Sequence, residues 1–110
     1  MRLTIVIALL VALIAVFGCA PQVSAGCHTD ADCASRCVED DRAFPHGMCT
    51  MTCAKNDDCP MGTLCIERHD DALCAVECSS MQQCADFGAG YICKDQKDVH
   101  GDKQLVCWGD

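Results

Sequence analysis

Twelve cysteines constrain this chain more than any other feature. They are Cys27, Cys33, Cys37, Cys49, Cys53, Cys59, Cys65, Cys74, Cys78, Cys84, Cys93 and Cys107. Grouped in fours they read C-x5-C-x3-C-x11-C, C-x5-C-x5-C-x8-C and C-x5-C-x8-C-x13-C. The first gap is always five residues, and the join between groups is always three. Such a period marks tandem units. The spacing therefore predicts three four-cysteine modules, at residues 27–49, 53–74 and 78–107.

From Gly26 onward only 17 of 85 residues are large apolar side chains other than Cys. That is little material for a core in a chain this short, because small domains bury a low fraction of their surface. Cross-links, each worth about 2–4 kcal/mol, are expected to supply the missing stability. Dense cysteine of this kind belongs to an oxidising compartment.

Within each module the side chains suggest a common plan. The first gaps read HTDAD, AKNDD and SSMQQ, taken as short polar turns. An apolar residue precedes the third cysteine in modules two and three (Leu64, Ile92) and the fourth in all three (Met48, Leu73, Val106). Between them lie turn-forming triplets: PHG at 45–47, HDD at 69–71 and HGD at 100–102. The expected fold class is small and disulfide-rich. Each module is a tight turn followed by a short β-hairpin, with little other regular structure, behind an N-terminal signal-peptide helix. A lone hairpin is marginal in water, so disulfides must fix it to the turn. Four cysteines allow three pairings, and sequence does not choose among them. First-to-third with second-to-fourth pins the turn to both strands and is the expectation adopted.

The thirteenth cysteine, Cys19, lies in VFGCAPQVSAGC (16–27). Ahead of it, Arg2 precedes fifteen uncharged residues, LTIVIALLVALIAVF. That run is short for a membrane span, which needs about 20 residues, and suits a secretory signal peptide. Two cleavage sites compete. Cutting after Ala25 (signal 1–25) discards Cys19. Cutting before Cys19 (signal 1–18) retains it as a lipobox cysteine able to carry a diacylglycerol, with APQVSAG as a tether. Either way Cys19 is surplus to the twelve.

The missing spacings are equally informative. No C-x2-C, C-x-C or adjacent Cys pair occurs, which argues against zinc knuckles, thioredoxin-type redox motifs and metallothionein-like clusters. The formal net charge is −8, and −9 once Arg2 leaves with the leader. That balance lacks the basic footprint nucleic acid requires. It is also repelled by anionic membrane surfaces, leaving a lipid on Cys19 as the only expected membrane contact.

The run CAKNDDCPMGTLC (53–65) resembles a segment shared by Dickkopf-type and whey-acidic-protein modules, and repeats in cysteine-rich bacterial lipoproteins. The resemblance rests on cysteine spacing, Asp58, Pro60 and Gly62, and is best over residues 49–107. The first two families expect a paired cysteine that is missing here, and module three lacks the acid and the proline. The bacterial lipoproteins are the nearer resemblance, and it implies location more than activity.

Candidate chemistry is sparse. The pairs Asp40-Asp41, Asp57-Asp58 and Asp70-Asp71 could offer oxygens to calcium, but Asp and Asn are also ordinary turn formers. His46, His69 and His100 are each expected at a hairpin tip, as solvated turn residues. In CIERHDDALC (65–74) the His-Asp pair is similar to that of secreted phospholipases A2. That family's paired cysteine and calcium loop are missing here, so no catalytic role is carried over. Met51 in CTMTC (49–53) could fill the pocket of an elastase- or chymotrypsin-like protease, as in inhibitors that present Cys-Thr-X on a disulfide-fixed loop. Trp108 is expected to pack over a disulfide.

Taken together, the sequence predicts a non-enzymatic binding or structural module without cofactor or metal. It would be secreted or anchored outside a membrane, with an unidentified protein partner. A protease inhibitor or toxin is the alternative.

Overall fold

The computed structural model describes residues 22–40, 42–69 and 71–110. The expected signal helix, Cys19, Asp41 and Asp70 lie outside them. Among the described residues, seven strands form three antiparallel groups. β1 (Ser24–Ala25), β2 (Arg36–Asp40) and β3 (Phe44–Thr50) make a sheet in the order β1-β3-β2. β4 (Thr63–Arg68) pairs with β5 (Asp71–Val76), and β6 (Tyr91–Lys97) with β7 (Lys103–Gly109). No helix among the described residues is long and apolar enough to cross a membrane.

The register explains how the cross-links work. Cys37 lies opposite Cys49, Cys65 opposite Cys74, and Cys93 opposite Cys107. Directly opposed residues share one face of an antiparallel pair. The third and fourth cysteines of each module therefore point together at the segment covering that face. They do not bond to each other. Cys27–Cys37, Cys53–Cys65 and Cys78–Cys93 join first to third, while Cys33–Cys49, Cys59–Cys74 and Cys84–Cys107 join second to fourth. All twelve cysteines are used.

The covering segments are built differently. In modules one and two they are single 3-10 turns at Asp30–Asp32 and Asn56–Asp58. Asp32 Oδ2 accepts the backbone N–H groups of His28 and Thr29, and Asp58 Oδ2 those of Ala54 and Lys55. From the same turns Asp30 Oδ1 accepts Cys37 N–H at 2.8 Å and Asn56 Oδ1 accepts Cys65 N–H at 2.9 Å. One acid braces the turn, and a second short polar side chain ties it to the hairpin. Module three instead has helix α1 (Met81–Phe87). This departs from the expected short turn at SSMQQ. Ser80 caps the helix by accepting Gln83 N–H, Gln and Ala propagate it well, and Gly88 follows its end. Eight residues between Cys84 and Cys93 leave room that the three between Cys33 and Cys37 do not.

Module one also corrects an expected turn. PHG (45–47) is not a hairpin tip; it lies inside β3, which begins at Phe44. His46 and Gly47 both take positive φ, 65° and 79°. Their carbonyls face the segment that follows β1, with Gly47 O accepting Gly26 N–H at 2.9 Å and His46 O accepting Cys27 N–H at 3.1 Å. A side chain at 47 would collide with the Cys27 carbonyl, so the kink requires glycine.

The hairpins are not independent beads. Sixteen buried residues, six of them cysteines, form one cluster drawing on all three modules. Phe44, Met48, Ile66, Leu73, Ala75 and Val106 stand at its centre. Scarce apolar residues thus serve a common core larger than the composition suggested. Trp108 stacks edge-on against Phe44 at 4.7 Å, tying module three to module one. The Arg68 guanidinium of module two lies 4.9 Å from the Phe44 ring centroid. Backbone links run the same way, from Val99 N–H of module three to Cys65 O of module two and from Gly109 N–H to Ala43 O of module one.

Candidate interaction groove

An open groove of about 580 Å³ lies where three segments meet. Gln22 and Val23 form one wall. The turn Pro60–Thr63 forms the second, and Val76–Ser79 with Gln83 of α1 the third. The second wall is fixed by proline and glycine chemistry. Pro60 O accepts both the N–H and the hydroxyl of Thr63, and Gly62 takes φ 85°. That turn leaves Met61 fully exposed at the rim. The third wall is held by Glu77 N–H donating to Gly62 O and by Gln83 Nε2 donating to Glu77 O at 3.3 Å. Gln83 Oε1 also accepts Ser79 N–H, taking the bracing role that Asp32 and Asp58 play elsewhere. The groove thus joins apolar side chains (Val23, Pro60, Met61, Val76) to amide and hydroxyl groups, with Glu77 as its one charge.

A second depression, of about 390 Å³, is lined by Glu67, His69 and Asp71 beside Val99 and the Cys53 end of β5. Asp71 is paired there with Arg36 at 2.9 Å, and Arg36 also donates to Thr52. The guanidinium, and then the Ala72 N–H, hold the Asp71 carboxyl below the usual carboxylate range.

Of the acidic candidates, Asp58 acts on its own backbone, and Asp32 does the same in module one. Asp32 and Asp58 are held below the ordinary carboxylate pKa, chiefly by the His28 and Ala54 N–H groups, with Thr29 and Lys55 next. Asp98, missed in the sequence, is 1% exposed in the β6–β7 connection. It accepts Gln104 Nε2 and the N–H groups of His100 and Asp102, and these lower its pKa against the opposing effect of burial. The signal for it was the D-x-x-G-D run at 98–102, where a short acid can close a turn on its own backbone. Tyr91, 3% exposed, donates its hydroxyl to Gly47 O, and burial pushes its pKa up to about 12.

His69 and His100 sit in hairpin connections and His46 in β3, each on a different hairpin. Among the described residues, the groups of His, Cys, Asp and Glu close enough to share an ion consist of disulfide-bonded cysteines. Their sulfurs are oxidised and offer no thiolate. Met51 is not displayed on a projecting loop. It is half-buried against the core, its carbonyl accepts Cys74 N–H, and the flanking Cys53 N–H donates to Ala72 O. The CTMTC join therefore runs as an extra extended segment along β5.

No protein-family model, curated protein or solved structure matches this chain.

Proposed function

We propose that this chain is a non-enzymatic binding or structural module that works outside the cytoplasm, secreted or lipid-anchored through Cys19, and meets a protein partner. One observation carries the reading. Every hairpin is bridged twice to its covering segment, and the three hairpins share one core. Such a body is rigid before it meets anything, which lowers the ordering cost of association. It also depends on an oxidising environment, because a core with so many cystines is not expected to close when they are reduced. The groove beside Met61 is the contact surface with the right mixture of apolar rim and satisfied polar walls.

Thiol alkylation with intact-mass readout tests the compartment. Protein recovered from an exporting host should bind no alkylating reagent at Cys27 through Cys107. The same residues held in a reducing cytoplasm should be fully alkylated and lack a cooperative thermal transition. A reduced chain that still melts cooperatively would contradict the proposal.

A further inference from the structure

Val23, Ser24 and Ala25 belong to the folded body. Val23 is 8% exposed and lies in the shared core. Ser24 pairs with Cys49 and Ala25 with Met48 along β3, and the adjoining Gly26 N–H donates to Gly47 O. The other side of Ala25 is equally constrained. Gly88 has φ 179°, extended backbone that any residue adopts, yet a methyl added there would stand 2.5 Å from Ala25 Cβ. Ala25, together with the Tyr91 ring at 3.1 Å, thus occupies the space that a side chain at 88 would need. Cutting after Ala25 would strip this strand from β3, leaving edge N–H and C=O groups unpaired, and would remove one wall of the groove.

We infer that Val23–Ala25 remain in the mature protein, so that water cleaves the Gly18–Cys19 bond and not the Ala25–Gly26 bond. Cys19 then becomes the new N-terminus, four residue steps and at most about 14 Å from Val23. A lipid there would hold the groove close to the membrane surface. The inference rests on the chain being exported, and its test separates the two.

The first measurement is the intact mass of the exported, non-reduced protein, with sequencing of its N-terminus. A start at Cys19 is expected, and the same spectrum reads any attached diacylglycerol. A start between Ala20 and Gln22 would keep β1 but overturn the assigned bond. A start at Gly26 would overturn the inference while leaving export intact. An uncleaved chain with free thiols would overturn export as well. The second measurement uses the full chain. Gly88→Ala should lower Tm by roughly 5 °C, and adding Ala25→Gly should restore part of that loss, the Tyr91 ring still crowding the new methyl. A Tm for Gly88→Ala that Ala25→Gly leaves unchanged would show that β1 does not fill this space.

Discussion

Modules one and two solve with three aspartates and an asparagine what module three solves with a helix. In the first two, Asp32 and Asp58 gather backbone N–H groups, and Asp30 and Asn56 tie the turn to a hairpin strand. In module three Met81 stands where Asp30 and Asn56 stand, and its thioether is only a weak hydrogen-bond acceptor. The helix supplies its own hydrogen bonds instead, and Gln83 keeps only the bracing role. The cystine pattern is unchanged between the two solutions. The difference teaches that the bridges define the module, while the second-to-third cysteine gap decides what fits beneath them.

The largest expected effect tests whether the modules are energetically separate at all. Phe44 is fully buried between Trp108 and Arg68, so Phe44→Ala should cost about 3–5 kcal/mol. Because the core is shared, calorimetry should show one transition moving down as a whole. Two resolved transitions would mean that module three melts apart from module one.

Next in size are the bridges. Removing Cys84–Cys107, which closes 23 residues, should cost about 3.5 kcal/mol on the chain-entropy scale. Removing Cys27–Cys37, which closes 10, should cost about 2.7 kcal/mol on the same scale. Paired Cys→Ala variants in denaturant titrations check the order. A reversed order would show that the helix compensates for its bridge in a way the short turns cannot.

Acid should separate the modules more gently. The folded-state pKa values of Asp32 and Asp58 are depressed, so their contribution is present above the unfolded value near 3.9 and is lost as pH falls through the folded value. Gln83 does not titrate, so module three lacks this dependence at the matching position. Hydrogen exchange between pH 5 and pH 2 should open the 28–33 and 54–59 amides before those of 79–84. Simultaneous opening would contradict the distinction. At the other extreme, Tyr91 favours the folded state below about pH 10, and that contribution is lost as pH rises towards 12.

Smallest is the Arg36–Asp71 pair, which joins module one to module two across partly exposed side chains. A double-mutant cycle with Arg36→Met and Asp71→Asn should give a coupling of about 0.5 kcal/mol that shrinks at high salt. A coupling several-fold larger would make this seam a principal tie between modules.

Much of this architecture was legible in the sequence, for a physical reason. Cysteine spacing reports chain geometry directly, so three four-cysteine hairpin units could be read from counting, and the connections at His69 and His100 from their turn-forming residues. Where local chemistry offered two outcomes, counting failed. PHG carries the composition of a turn, but its positive φ values serve a kink inside β3 that receives β1. SSMQQ is as polar as the other gaps, and only the following eight-residue gap gives a helix room to continue. Val23–Ala25 look like the end of a signal peptide and also pair as a strand. Their second role depends on contacts with Met48 and Gly88, far away in sequence. The shared core was hidden for the same reason. Phe44, Ile66 and Val106 are single apolar residues in three modules, and only packing shows that they are neighbours.

Peptide mapping of the non-reduced protein tests the central claim most directly. Cross-linked peptides should join Cys27 to Cys37, Cys33 to Cys49, Cys53 to Cys65, Cys59 to Cys74, Cys78 to Cys93 and Cys84 to Cys107. Peptides joining Cys37 to Cys49, Cys65 to Cys74 or Cys93 to Cys107 would contradict it, because strand would then be bonded to strand and the covering segments left loose.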